Sequence, residues 1–428
     1  MGNWRKLGVA AMVVLLAAAC GNGTSNGGAK PHNNVLFYAV PGEPDSLDPA
    51  TGASGFDPYV TAAIFDPLIS INPKTNALAP GLATSWTWVG ADKLTFRLNL
   101  RHGVKFQDGT PFNAEAVKTS MTHFLTTATF NALQPIVAGE TVVDDYTLDI
   151  NLKRQYSPLP NDLTAGAGYI LSPAALQKYG KDINRNPVGA GPFSFKVWNS
   201  GTDLQVTRFA GYWNASTIHF AGITYKVIPN QLAEVNALKA GQVDFAPLGQ
   251  APEGIINALK SSKNLTTRAA PIDGMAILVT NDKAPPFNNV LVRRAANMAI
   301  NRQALSDAMN GKGVGAGPAW EFVAKDDWNY TKDIPNPGYH PDQAKQLLAQ
   351  AGFPNGVNVT LCHFASDQTD SSVEKAQMAP AGFNVTIDQE PVNACIAKTV
   401  AASTNMVQLG SFTGPNPFES YNFMFNSL

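Results

Sequence analysis

From Leu94 to Leu100 every second residue is large and apolar: Leu94, Phe96, Leu98 and Leu100 alternate with Thr95, Arg97 and Asn99. Side chains of a strand point to opposite faces in turn, so this segment lies with one face on a core and the other toward water. Helical signals follow at once. Asp108-Gly109 makes a turn, Asn113 is placed to cap a helix over residues 114–125, and Glu115 sits in its first turn, where the macrodipole favours negative charge. After Asp144-Asp145 the alternation returns, with Leu148, Ile150 and Leu152 set against Asp149 and Asn151. Strands and helices interleave without strict βαβ repetition, which makes the fold mixed α/β.

The same signals recur along the chain. Val35 to Val40 is a short apolar run closed by Pro41-Gly42, the pattern of a buried strand. Phe193, Phe195 and Val197, then Leu204 and Val206, predict two paired strands joined through Asn199-Ser200-Gly201. Leu232, Val235 and Leu238 have helical spacing, Gly241 is suited to end that helix in the left-handed conformation, and Val243 to Phe245 reads as a further strand. Helices are predicted over 291–300 and 341–351, the latter closed by Gly352, and strands over 357–361 and 384–387 around a short helical piece. No tandem repeat of fixed period is present.

Single cores stop growing at about 250–300 residues, so a chain of 428 implies about two or three domains. A formal net charge of -1, without a long Lys/Arg run, provides no basic field for phosphate backbones, and nucleic acid is not an expected partner. Of the three cysteines, Cys362 and Cys395 form an even pair that an oxidising compartment could join, with two free thiols as the alternative. The third cysteine, Cys20, belongs to a different signal. Arg5 and Lys6 precede an apolar run from Leu7 to Ala19 that ends in small residues, as in a signal peptide; it is short for a membrane span, which takes about 20 apolar residues. Leu16-Ala17-Ala18-Ala19-Cys20-Gly21 resembles a bacterial lipobox, implying that Cys20 is lipidated and becomes the new amino terminus. Residues 21–32, rich in Gly, Asn, Ser and Thr, then read as a flexible tether.

Many further landmarks occur in a fixed order. They include Glu43-Pro44-Asp45-Ser46-Leu47-Asp48-Pro49, Phe65-Asp66-Pro67-Leu68, Pro80-Gly81-Leu82-Ala83-Thr84-Ser85-Trp86 and Asp108-Gly109-Thr110-Pro111. Gly189-Ala190-Gly191-Pro192-Phe193, Tyr212-Trp213, Ala237 to Asp244, and Arg293-Arg294-Ala295 with Ala299-Ile300-Asn301-Arg302 continue the series. In these the chain resembles the peptide/nickel-type extracellular solute-binding proteins, family 5, of ABC importers, over nearly its whole mature length. The resemblance implies a two-lobed periplasmic-binding-protein type II fold with an extra subdomain in the first lobe. The implied map is 1–20 signal peptide, 21–32 tether, 33–68 and 188–276 first lobe, 69–187 extra subdomain, and 277–428 second lobe. Relatives usually run on past this point and return through the hinge to finish the first lobe, so the expectation here is a truncated reading with that return segment missing.

The implied mechanism is closure of two lobes on a solute, with no bond made or broken. By similarity, Ser54 to Tyr59 and Gly410 to Asn416 should face each other across the cleft. Gly55, Phe56, Asp57 and Tyr59 from the first segment and Ser411, Phe412, Thr413 and Asn416 from the second are the candidate ligand contacts, together with Trp320 in the Gly-rich stretch 311–320. The alternative for each is an ordinary surface loop, or packing in the case of Trp320. Peptide-binding relatives often place an Asp near the second segment to pair with the ligand's amino terminus; Gly410 to Pro417 holds no acid, and Asp57 is the candidate in its place.

The partners implied are a peptide or other small solute, a permease and its ATPase subunits, and the outer face of the cytoplasmic membrane through the lipid, with the protein itself a monomer. Neither cofactor nor metal is expected, since the six histidines show no H-E-x-x-H pair and there is no CxxC; His363 reads as a strand residue beside a structural cysteine. A secreted hydrolase is the competing reading, unsupported by any G-x-S-x-G elbow, and a solute sensor or chaperone that lost transport is the third.

Overall fold

In the computed structural model, residues 34–52, 56–75, 77–128, 133–248, 253–262, 264–267, 274–310, 317–319, 331, 333–363, 369–390, 394–395, 398 and 403–412 are described. The signal segment, Cys20 and the tether lie outside them.

The chain opens with β1 (Val35–Val40) and α1 (Asp57–Ile64), then β2 (Ile69–Ile71), β3 (Leu78–Pro80), β4 (Ala83–Val89) and β5 (Thr95–Leu100). The alternation from Leu94 is realised in β5, where Phe96, Leu98 and Leu100 are buried. Helix α2 (Ala114–Thr127) starts where predicted, its cap made by the Asn113 side chain, which accepts from the Ala116 amide. It runs two residues past the expected end. Strands β6 (Val137–Asp144) and β7 (Thr147–Leu152) complete an antiparallel sheet of order β4-β5-β7-β6. Residues of this sheet and of α2 form one core, with Phe96, Phe106 and Phe112 fully buried; a buried side chain of that size contributes about 1.5–3 kcal/mol.

Helices α3 (Leu159–Asp162) and α4 (Pro173–Tyr179) lead into β8 (Phe193–Asn199), β9 (Asp203–Arg208) and β10 (Gly222–Val227). The predicted 193–206 hairpin is present: β8 and β9 pair antiparallel, with Gly201 at φ +74° in the turn. β10 then pairs parallel with β1 from Val35 opposite Gly222 to Val40 opposite Val227, giving the sheet β1-β10-β9-β8. Its core joins Val40, Leu47, Phe65, Phe193 and Tyr225. Helix α5 (Gln231–Lys239) follows with an Asn230 cap, and Gly241 at φ +66° ends it as expected. The strand expected over 243–245 is reduced to a single parallel bridge between Tyr38 and Phe245, with the Asp244 amide on the Phe37 carbonyl and the Ala39 amide on the Phe245 carbonyl.

After α6 (Glu253–Lys260) come β11 (Gly274–Thr280), α7 (Val290–Met298), α8 (Arg302–Asn310) and α9 (Pro341–Gln350). β12 (Val357–His363), α10 (Thr369–Met378), β13 (Phe383–Gln389) and β14 (Met406–Phe412) finish a sheet of order β11-β14-β12-β13. β12 is parallel to both β13 and β14, while β11 runs antiparallel to β14. A third core, with Phe287, Val292, Leu348, Leu361 and Phe383, lies under α7 and α9. Trp86, Trp88 and Trp213 pack against the first core and Trp198 against the second.

Candidate functional site

The described parts of the two candidate segments adjoin the carboxyl ends of strands in two different sheets. β1 and β10 are parallel, so the loop after Val40 starts at their carboxyl ends. β12, β13 and β14 are parallel as well, and their carboxyl ends are His363, Gln389 and Phe412. Ligands of open α/β sheets collect outside the carboxyl ends of strands, where loops diverge.

The first loop is held by its own carboxylates. Asp57 is the first residue of α1, where the helix dipole favours an anion, and its Oδ1 accepts from the backbone amides of Asp45 at 3.1 Å and Ser46 at 3.2 Å. That oxygen therefore fixes the turn at 45–46. Asp48, 2% exposed, takes the Ala50 amide on Oδ1 at 2.9 Å, while its carbonyl accepts from Thr51 and Gly52. Its other oxygen, Oδ2, lies 2.8 Å from Nε2 of His123 on α2. Glu43 reaches across to β8, its Oε2 accepting from Trp198 Nε1 at 3.0 Å and the Gly201 amide at 2.8 Å; the Arg185 guanidinium lies 3.4 Å over that tryptophan ring. Two glycines permit the close approach. A Cβ on Gly42 would fall 2.3 Å from the Phe56 ring, and one on Gly52 2.8 Å from Cγ of Asp57.

Phe56 thus packs back on its own loop. Tyr59 joins an aromatic group in which Tyr38 is 6.0 Å from Tyr59, 5.5 Å from Tyr225 and 4.8 Å from Phe245 between ring centroids. Beside it lies Glu234, in the first turn of α5 and 3% exposed, whose Oε1 has no hydrogen-bond partner among the described residues. Burial pushes its carboxyl up to about 7, and burial followed by the nearby Glu234 raises the Tyr59 hydroxyl. Nothing in the sequence marks Glu234, since an acid in a first helical turn ordinarily serves the dipole.

In the other segment, Ser411 and Phe412 are the last residues of β14, opposite Met275 and Gly274 of β11. Gly55, Trp320, Thr413 and Asn416 lie outside the described residues. Cys362, at the end of β12, is joined to Cys395 with Cα atoms 5.7 Å apart, so the structure takes the disulfide rather than the two free thiols. The next residue, His363, is 2% exposed, with Nε2 3.7 Å from Oδ1 of Asp370. Glu374, one turn further along α10, is buried, with Oε2 unpartnered among the described residues; burial and then Asp370 push it up to about 8. Among the described residues no group of three His, Cys, Asp or Glu side chains could hold a metal ion. No helix among them is long and apolar enough to cross a membrane.

Comparison with known proteins agrees with this architecture. The glutathione-binding protein GsiB of Escherichia coli O1:K1 is 32% identical over 362 residues, spanning 82% of this chain and 69% of the relative. Among solved structures, the murein tripeptide binding protein MppA of Escherichia coli superposes with a TM-score of 0.81 at 22% identity, over 92% of this chain and 82% of MppA. DppA of Helicobacter pylori in complex with the peptide STSA gives 0.80 at 24%, over 90% and 80%. AgaA of A. tumefaciens R10 with agropinic acid gives 0.77 at 27%, over 91% and 79%. These neighbours are two-lobed binding proteins, and the mixed α/β arrangement here has their fold. The model of the bacterial extracellular solute-binding proteins, family 5, matches residues 77–428. The chain belongs to that family, whose members bind solutes and are not enzymes.

Proposed function

We propose that this chain is the lipid-anchored capture component of an ABC importer, which holds a short peptide or peptide-like solute between two lobes and passes it unchanged to a permease driven by separate ATPase subunits. One observation carries the reading. In two separate sheets β1 and β14 each end at the carboxyl side of parallel strand pairs, and the segments at those ends are the ones the family resemblance assigns to the ligand. Three separate hydrophobic cores support the division into a first lobe (33–68 and 188–276), an inserted subdomain (69–187) and a second lobe (277–428). Tyr59 and the end of β14 at Ser411 and Phe412 are the proposed contacts; Gly55, Trp320, Thr413 and Asn416, outside the described residues, are proposed from the family resemblance alone; Phe56 and Asp57 shape the loop from behind. Lipidation of Cys20 would keep the folded body at the outer face of the membrane, each buried methylene of the acyl chains contributing about 0.8 kcal/mol. Relatives that hold glutathione, peptides or agropinic acid suggest a small polar ligand that carries a carboxylate.

The test is a thermal-shift panel of reduced and oxidised glutathione, Met-Leu, the peptide STSA and agropinic acid, followed by mass spectrometry of the recovered solute. A ligand at a hundredfold excess over its Kd should stabilise the protein by about 2.7 kcal/mol and come back intact. A ligand that is consumed would favour the hydrolase reading, and indifference to every solute would remove the capture reading.

A further inference from the structure

We infer that His123 is a positioning residue for the ligand loop: from α2, outside that loop, it grips the Asp48 carboxylate and through it the backbone that leads into α1 and Tyr59. The inference rests on the proposed binding role of that loop. His123 lies 75 residues from Asp48 in sequence and belongs to the helix packed on the β4-β5-β7-β6 sheet, whereas Asp48 belongs to the layer of β1 and β10.

A carboxylate only accepts hydrogen bonds, so His123 Nε2 carries the proton of the 2.8 Å contact, and Nδ1 lies 3.4 Å from Thr127 Oγ1. Asp48 has no other route to satisfy Oδ2 cheaply, because its side chain is only 3% exposed. Its remaining acceptors organise the turn: Oδ1 takes the Ala50 amide, and the carbonyl takes Thr51 and Gly52. Ser46 Oγ closes the same turn, accepting from the Asp48 amide at 3.0 Å and lying 2.7 Å from Thr51 Oγ1. Gly52 then sits directly against the Asp57 side chain, whose Oδ1 holds Asp45 and Ser46. A side chain of α2 is thereby coupled to the first turn of α1, two residues from Tyr59. Such an arrangement lets the neighbouring β4-β5-β7-β6 layer hold the loop ready for a ligand, so less ordering remains to be done on binding.

Amide hydrogen exchange on the full, ligand-free chain tests the coupling, with His123→Leu and His123→Gln beside the natural protein. His123→Leu should accelerate exchange at Ala50, Thr51 and Gly52 by roughly tenfold or more while the α2 amides of Val117 and Met121 keep their rates. His123→Gln, whose amide nitrogen reaches about as far as Nε2, should restore protection to within roughly threefold. Glutathione is the binding probe, replaced by any other solute the thermal-shift panel retains; His123→Leu should weaken its Kd by about fivefold or more and His123→Gln by much less. Unchanged exchange at 50–52, equal acceleration throughout α2, no rescue by Gln, or altered exchange with unaltered Kd would each overturn the inference. Should the natural protein bind no solute, the capture reading fails, and the role assigned to His123 in ligand positioning falls with it, whereas the exchange data still decide whether the bridge exists.

Discussion

Asp66, between α1 and β2, and Glu374, inside α10, are two acids that burial pushes up, and they end in different protonation states. Asp66 receives Trp213 Nε1 on Oδ2 at 2.6 Å and the Tyr212 hydroxyl on Oδ1 at 3.2 Å, and the Arg101 guanidinium lies over the Trp213 ring. Those donors and that cation oppose burial and hold the carboxyl at about 6. Among the described residues Glu374 Oε2 has no partner, and the ionisable neighbour that acts on it, Asp370, is another acid; it reaches about 8. At pH 7 the first is an anion and the second a neutral acid. Donors as well as depth decide the charge of a buried acid, and the two regions should answer pH and mutation differently.

The largest effect belongs to Glu374. Its folded form keeps a proton that the unfolded chain gives up near pH 4.5, so its stabilising contribution is full below that pH and is lost as pH rises through about 8. Urea unfolding should show a loss on the order of 4 kcal/mol between pH 5 and 9 that Glu374→Gln removes. An equal slope in the variant would end the distinction between the two regions. Next in size is the disulfide beside this region, which closes a stretch of 33 residues between β12 and the connection to β14. Replacing both cysteines by serine should cost about 3–4 kcal/mol, with hydrogen exchange quickening in β12 and β14 but not around Asp66.

The Asp66 region should yield less. Trp213→Phe removes the shorter of its hydrogen bonds, which should raise the carboxyl further toward the behaviour of Glu374 and cost about 2 kcal/mol at pH 8. A carbon-13 titration of Asp66 that does not move would contradict this. Tyr212→Phe, at the longer bond, should cost about 1 kcal/mol and shift the same titration less.

Local signals carried far along this chain and then stopped. The alternation in β5, the Asn113 cap, the β8–β9 hairpin and the left-handed glycines at 241 and 352 were legible because each depends on residues close in sequence. The segment 243–245 was over-read, because two apolar residues flanking Asp244 do not say how long the segment will find a partner. β11 and β14 gave no period of two, and their pairing joins Gly274 to Phe412, which no local pattern encodes. The candidate loops were found through family resemblance, whereas the contacts that shape them were not. Glu43 meets Trp198 and Asp48 meets His123 across long separations, and Glu234 resembles any acid in a first helical turn.

Small-angle X-ray scattering, with and without the solute that most stabilises the protein, tests capture between lobes most directly. The account predicts a smaller radius of gyration at saturation, returning to its starting value when the solute is dialysed away. A radius that does not change under full occupancy would contradict it.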